Sequence, residues 1–262
     1  AQGVVEYNWR PDGSALLVHS FWKPQDEQAL FDTAAAALVY TRLDEQLDGV
    51  GYKQQRHLQL WLVPLHGAAT RLTSEPADIV SSCWSPDSTE IAFCANRRAD
   101  PDFSESKALW VMTLASGQMR RLTAEAGLAQ MPAWSPDGQT LAYYYTADQT
   151  EAENISPWIV NAHGAGAPRP AASTSGNFTC MEFLVDELHT GMLDRPQWYP
   201  DNTSLLITVQ ERGQIHLYRI DTEENQVTPL TSGNGRYFSP RLSQDGQTIA
   251  MIRADWLTPG DI

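Results

Sequence analysis

The phrase SSCWSPDSTEIAF at residues 81–93 returns almost unchanged as MPAWSPDGQTLAY at residues 131–143. Related phrases are NWRPDGSALLV from Asn8 and QWYPDNTSLLI from Gln197, and RLSQDGQTIAM from Arg241 has leucine where the others have tryptophan. Internal repeats are interpreted first, because a repeating unit determines the fold of the whole chain. We call the tryptophan or leucine position the anchor, and the five anchors are Trp9, Trp84, Trp134, Trp198 and Leu242.

Two further landmarks recur between the anchors. One is a strand-like segment with a central aromatic residue: LQLWLVPL at 58–65, KALWVMTL at 107–114, SPWIVNA at 156–162 and IHLYRID at 215–221. The other is a Leu-Thr pair that ends at Thr73, Thr123 and Thr231, and each of these threonines precedes the next anchor by 11 residues. The anchors themselves are 75, 50, 64 and 44 residues apart, so the variation falls in the connecting loops, where insertions are tolerated.

Each landmark has a structural explanation. In PDG, proline fixes φ, aspartate caps the turn with its side chain, and glycine adopts a positive φ. The alternating apolar residues that follow predict a strand, and the aromatic segment with its glycine turn predicts a hairpin. The anchor residues therefore have packing roles, and turn capping is assigned to Asp12, Asp87, Asp137, Asp201 and Asp245.

A meander of about four short antiparallel strands, repeated every 40 to 50 residues, is typical of a β-propeller. We predict that residues 1–262 form one all-β propeller domain, or a fragment of one, with about five four-stranded antiparallel blades. A helix is expected only in the insertion from Trp22 to Leu38, where Ala34–Ala37 have high helix propensity.

Charge and cysteine content exclude several classes of function. The net charge of −14 disfavours nucleic acid and anionic membrane surfaces, which both need clustered lysine and arginine. Cys83, Cys94 and Cys180 have neither zinc-site spacing nor a disulfide pattern, which favours a reducing compartment. The first residues lack a signal peptide's basic and apolar regions, and the predicted localisation is cytoplasmic.

The sequence offers no recognisable catalytic or metal site. The six histidines have no metal-ligand spacing, the acidic runs do not match a calcium loop, and G-x-S-x-G does not occur. We therefore expect no cofactor, no metal and no catalytic residue in this chain. A catalytic propeller, such as a lyase or a glycosidase, is the least supported class.

Two segments that interrupt the repeat are candidates for a partner or substrate face. Arg97 and Arg98 follow a predicted strand in an insertion between blade strands. The segment from Phe178 to Asp194 replaces the usual Leu-Thr strand. Its candidate residues are Glu182, Asp186, Glu187 and His189.

The repeat resembles those of TolB-type proteins and of the prolyl oligopeptidase family. The segments YTRLDEQLDGVGYKQQRHLQLWLVPL (40–65) and FCANRRADPDFSESKALWVM (93–112) are most similar to the propellers of acylaminoacyl-peptidase-like members. MEFLVDELHTG (181–191) and LTPGDI (257–262) fit the same branch. That resemblance implies a seven-bladed ring, a following α/β-hydrolase domain of the same polypeptide that carries the serine peptidase triad, and peptide substrates.

Two functions remain open. The first is a non-catalytic propeller that covers the active site of such a peptidase and admits only peptides. The alternative is a stand-alone TolB-type propeller that holds a protein partner on one face. The parent polypeptide would be a serine peptidase, a hydrolase acting on oligopeptides or acyl-peptides, in the first case only.

Overall fold

The computed structural model describes residues 3–22, 46–47, 51–52, 56–99, 101–147, 154–174, 178–180, 194–255 and 257–258. The predicted helix, apart from Trp22, lies outside the described residues, and so do four of the candidate face residues: Glu182, Asp186, Glu187 and His189. Within the described ranges the chain contains strands and a single 3₁₀ turn, at Pro101–Phe103. The prediction of an all-β propeller with four-stranded antiparallel blades is confirmed.

Four consecutive sheets form four blades, each of four strands in chain order. Blade 1 contains β1 (Glu6–Trp9), β2 (Ala15–Trp22), β5 (His57–Pro64) and β6 (Thr70–Arg71), and the two-residue strands β3 (Gln46–Leu47) and β4 (Gly51–Tyr52) pair with each other between β2 and β5. Blade 2 contains β7 (Ile79–Trp84), β8 (Glu90–Ala95), β9 (Ala108–Thr113) and β10 (Met119–Arg121).

Blades 3 and 4 repeat this order, and a hairpin follows them. Blade 3 contains β11 (Leu128–Trp134), β12 (Thr140–Thr146), β13 (Ser156–Asn161) and β14 (Arg169–Pro170). Blade 4 contains β15 (Gln197–Trp198), β16 (Ser204–Glu211), β17 (Gln214–Asp221) and β18 (Gln226–Pro229). The fifth repeat contributes the hairpin of β19 (Arg236–Leu242) and β20 (Ile249–Ala254), which joins blade 4 through one parallel pair, Ile215 with Arg236.

The turn after each anchor has the same geometry five times. The residue that follows the capping aspartate has a positive φ in every copy, at Gly13, Ser88, Gly138, Asn202 and Gly246. Its backbone N–H donates to the carbonyl three residues earlier, as Gly138 does to Ser135 at 2.9 Å. Each aspartate accepts backbone hydrogen bonds within its own turn, as Asp137 does from Gln139 at 3.0 Å. The repeated phrase is therefore a repeated turn.

The recurring threonine closes the third strand of a blade. In blade 2, Thr123 Oγ1 accepts the N–H of Leu109 at 2.9 Å, and Thr73 and Thr231 do the same for Leu60 and Leu217. Blade 3 is the exception and lacks this hydrogen bond. The corresponding third-strand residue there is Pro157, which has no N–H, and Ala172 stands at the threonine position. The prediction that the segment from Phe178 to Asp194 replaces the Leu-Thr strand is therefore wrong, because β14 occupies that place.

Apolar side chains fill the spaces between successive blades. Leu17 and Leu60 of blade 1 pack with Phe93 of blade 2, Cys94 of blade 2 with Tyr143 of blade 3, and analogous clusters join blade 3 to blade 4 and blade 4 to the last hairpin. Because adjacent strands are antiparallel, the anchor turns all lie at one end of the blades, which we call the turn face. The described connection between β8 and β9 lies at the opposite end, which we call the loop face.

The anchors differ in burial although they occupy equivalent positions. Trp84 is 7% exposed, Trp134 and Trp198 are half-buried against the clusters of blades 2 to 4, and Trp9 on β1 is 56% exposed. Trp84 packs between blades 1 and 2, and Trp9 lies on the first strand of the first blade. The repeat thus keeps the anchors at equivalent positions in the blades, and packing against the neighbouring blade determines how deeply each anchor is buried.

Candidate functional site

An open groove with a volume of about 520 Å³ lies on the turn face, between three consecutive repeats. Its walls are the anchor turns of blade 3, blade 4 and the last hairpin. None of the lining residues is charged, and they are two tryptophans, three prolines and five others: Trp134, Trp198, Pro136, Pro196, Pro200, Ala133, Gln197, Leu242, Ser243 and Gln244. Concave surfaces lined by apolar groups with a few polar ones are the usual form of a binding site.

Hydrogen bonds between repeats hold the groove open in a defined shape. Trp198 Nε1 donates to the carbonyl of Ala133 at 3.0 Å, which ties the anchor of blade 4 to blade 3. Gln197 bridges to the hairpin with both ends of its amide, since Nε2 donates to Pro240 O at 2.8 Å and Oε1 accepts from Leu242 N at 2.9 Å.

The absence of a side chain at Gly246 allows the last turn to approach blade 4. A Cβ at Gly246 would lie 2.8 Å from Cδ of Pro200 and 3.3 Å from the ring of Tyr199, and the residue also has φ +70°. The turn of blade 3 contacts blade 4 as well, where Asp137 N donates to Asn202 Oδ1 at 2.9 Å. The groove walls are therefore braced against one another, and the site is largely pre-formed.

Carboxylates stand at the rim of the groove. Asp137 and Asp245 directly follow the lining residues Pro136 and Gln244. Asp201 is the third turn-face aspartate of this region, and its Oδ2 pairs with Arg219 Nη2 at 2.9 Å. Asp137 and Asp245 have no such ion pair with a described residue. Two arginines also adjoin the lining, since Arg195 precedes Pro196 and Arg241 precedes Leu242.

A second polar cluster lies among the first strands of the blades, and sequence reasoning did not identify it. Arg195 donates to Pro132 O at 2.6 Å and to Ser82 O at 2.9 Å, and pairs with Glu6 Oε1 at 3.3 Å, so it joins blade 4 to blades 1, 2 and 3. A β-bulge in β7 and in β11, with positive φ at Ser81 and Met131, accompanies these accepting carbonyls. A signal existed, because Glu6 and Arg195 are opposite charges at the same repeat position, three residues before an anchor.

A Ser–His pair in this cluster has some of the geometry of a catalytic pair but is sealed from solvent. His19 Nδ1 lies 3.1 Å from Ile79 O, and a carbonyl can only accept, so Nε2 accepts from Ser82 Oγ at 2.6 Å. Burial is the main cause that lowers the pKa of His19. Both side chains are fully buried, so no substrate reaches the hydroxyl and the pair serves packing.

The predicted residues Arg97 and Arg98 lie beyond β8 at the loop face. The guanidinium of Arg97 pairs with Glu75 at 2.6 Å and lies 4.4 Å from the centre of the Trp110 ring. Arg98 Nη1 donates to Glu125 O at 3.3 Å. Both arginines therefore contact their own chain, and they are not near the groove, which is at the opposite end of the blades.

The cysteines are poorly suited to nucleophilic chemistry, and metal-ligating side chains are not clustered among the described residues. All three cysteines are free, and burial raises the pKa of the Cys83 thiol to about 11 and the pKa of the other two further. A thiol with a raised pKa is a poor nucleophile at neutral pH. No group of three or more metal-ligating side chains is found among the residues with described positions. Nor does that part contain a helix that is long and apolar enough to cross a membrane.

The sequence is similar to an uncharacterized protein, Atu1656, of Agrobacterium fabrum. The two are 27% identical over 266 residues, covering 94% of this chain and 83% of the relative. No family model matches the chain.

Three solved structures share the fold over 99% of this chain. They are TolB from Acinetobacter baumannii (TM-score 0.59, 14% identity, 99% of this chain), the uncomplexed acylaminoacyl peptidase of Pyrococcus horikoshii (0.68, 13%, 99%) and the oligogalacturonate lyase of Vibrio parahaemolyticus (0.60, 12%, 99%). The chain spans 53%, 36% and 65% of these structures, respectively. At such identities the likeness shows the fold alone. The chain is a β-propeller of the type found in TolB and in the propeller domains of acylaminoacyl peptidases.

Proposed function

We propose that this chain is a non-catalytic propeller that binds a protein partner through the groove on its turn face. The observation that carries the proposal is the uncharged, tryptophan- and proline-lined groove, which spans three repeats and is braced by Gln197 and Trp198. Exposed apolar surface of this kind, rimmed by polar groups, marks interaction sites. Tryptophan is also the residue type most enriched at the energetic centre of interfaces.

We prefer a stand-alone binding propeller to a propeller that covers the active site of a peptidase. Atu1656 is matched over 83% of its length, and less than a fifth of that relative remains outside the match. A catalytic α/β domain needs more than that, since domains typically have 100 to 150 residues or more. Gating by a propeller attached to a hydrolase domain is the second candidate, supported by the inter-repeat segments at 40–65 and 93–112.

Site-directed photo-crosslinking tests the proposal. A photoreactive phenylalanine derivative replaces Gln244 in the groove wall or, as the control, Gln118, which is exposed on the turn between β9 and β10. We expect a protein crosslinked from position 244 and not from 118. Once identified and purified, that protein should bind wild type and Gln118→Trp equally, and bind Gln244→Trp at least about tenfold more weakly, because the bulky ring obstructs the groove.

Three outcomes separate the alternatives. Equal affinity of all three forms would show that the groove is not the binding surface. A crosslink to an α/β-hydrolase domain of the same polypeptide would favour the gating function. Stoichiometric labelling of one serine by a fluorophosphonate probe, with turnover of an acyl-amino-acid substrate, would overturn the non-catalytic assignment.

A further inference from the structure

The chemistry of the groove indicates the kind of segment that fits it. Aromatic-lined grooves bind proline-containing segments, whose extended conformation is already formed before binding. Trp134 and Trp198 supply such walls, and Gln197, Ser243 and Gln244 supply polar atoms along the groove. Tryptophan is also the best aromatic partner for a lysine or arginine side chain.

The carboxylates next to the groove further limit the kind of segment that would fit it. In Asp137, Oδ1 accepts from Ser135 Oγ at 2.6 Å and from Gln139 N at 3.0 Å. Asp245 repeats this arrangement with Ser243 and Gln247. In both residues the turn is satisfied through Oδ1, and Oδ2 makes no hydrogen bond with a described residue.

Two of their counterparts form ion pairs that these two carboxylates lack. Asp12 pairs with Arg10 at 3.3 Å and Asp201 pairs with Arg219 at 2.9 Å, whereas Asp137 and Asp245, like Asp87, form no ion pair with any described residue. The hydrogen bond from Ser243 is the first cause that lowers the pKa of Asp245, so this carboxylate is charged at neutral pH. The net charge of −14 adds a long-range attraction for cations.

We propose that the groove holds a basic, proline-containing segment of the partner in an extended conformation, with its proline rings against Trp134 and Trp198 and its cationic side chains toward Asp137 and Asp245. This inference rests on the proposed function and specifies its partner.

The test measures binding of a fluorescent Arg-Pro repeat peptide of eight residues by anisotropy, with Arg-Gly and Glu-Pro repeats as comparison peptides. We expect saturable binding of the Arg-Pro peptide, weaker binding of the Arg-Gly peptide, and none of the Glu-Pro peptide. The double variant Asp137→Asn/Asp245→Asn should weaken Arg-Pro binding about three- to tenfold, the effect of losing two exposed charge contacts. The difference should shrink at high salt, because ions screen exposed charges.

A matched control removes the same net charge elsewhere. Asp87 and Asp221 also cap turns through Oδ1, and neither lines the groove. The variant Asp87→Asn/Asp221→Asn should change affinity less than twofold. A third variant, Gln244→Lys, leaves the turn hydrogen bonds intact and should also weaken binding, so the test survives if the first variant does not fold.

Equal weakening by the two double variants would overturn the inference, since the attraction would then be to the acidic chain as a whole. So would equal binding of the Arg-Gly and Arg-Pro peptides, or no binding at low salt. If the Arg-Pro peptide fails while the protein crosslinked from position 244 still binds less tightly to Gln244→Trp, the proposed function stands and only the basic, proline-containing partner is wrong.

Discussion

Replacing Thr123 with valine tests the explanation of the recurring Leu-Thr pair. Thr123 Oγ1 accepts the N–H of Leu109 at 2.9 Å. Leu109 is fully buried and Thr123 is 7% exposed, so water cannot replace the lost acceptor. Valine has nearly the shape of threonine, and the substitution therefore removes a hydrogen bond with little change in packing.

The magnitude follows from the burial of the orphaned N–H. A buried donor that loses its partner costs about 1–3 kcal/mol. The expected loss in the free energy of unfolding is about 2 kcal/mol, a substantial part of the about 5–15 kcal/mol that a folded domain possesses. The Thr123→Ser variant keeps the acceptor and should lose less than about 1 kcal/mol, the cost of one buried methyl group.

Urea titration of the three proteins gives these free energies, and amide hydrogen exchange locates the effect. We expect the Leu109 amide to lose protection in Thr123→Val and to keep it in Thr123→Ser. Should Thr123→Val remain within about 0.5 kcal/mol of wild type with the Leu109 amide still protected, the threonine would not be the closing acceptor, and the equal 11-residue spacing would need another cause.

Two further predictions concern the anchors and the polar cluster. Trp134→Ala should cost about 3 kcal/mol, the low end for large-to-small core changes because Trp134 is half-buried, whereas Trp9→Ala at the equivalent exposed position should cost under about 1 kcal/mol in the same denaturant assay; equal losses would contradict the assignment of burial to the neighbouring blade. The lowered pKa of His19 means that, as the pH falls, the unfolded chain binds a proton before the folded chain does. The stabilisation is therefore complete above about pH 6.5 and declines as the pH falls through the folded pKa. His19→Gln should flatten the dependence of unfolding free energy on pH between about 7 and 5, and an unchanged slope would show that a group other than His19 causes it.

Local signals made the blades predictable. Aspartate and a residue with positive φ form one turn in five copies, four of which have proline before the aspartate, and each turn fixes the two strands beside it. The spacing from threonine to anchor was readable because a hydrogen bond and a short connection both depend on it. The structure also explains the exception in blade 3, since Pro157 lacks the N–H donor and Ala172 lacks the hydroxyl acceptor.

Non-local contacts were not predictable in the same way. Arg195 and Glu6 are 189 residues apart in the chain, and only the packing of successive blades brings them to 3.3 Å. The bulges at Ser81 and Met131 have positive φ at residue types that do not signal it. Arg97 looked free in the sequence because a cation–π contact with Trp110 and an ion pair with Glu75 leave no local pattern.

The groove shows why reading each repeat by itself misses the site. Its walls come from three copies of the same phrase, so the groove is not visible in any one copy. What differs is the fifth anchor, where Leu242 replaces tryptophan beside Trp134 and Trp198. A tryptophan at that position would place a larger side chain in the wall and fill part of the opening. The proposed binding surface thus lies where the repeat departs from its own pattern, and comparing equivalent positions across blades is the way to find such a candidate site in a propeller sequence.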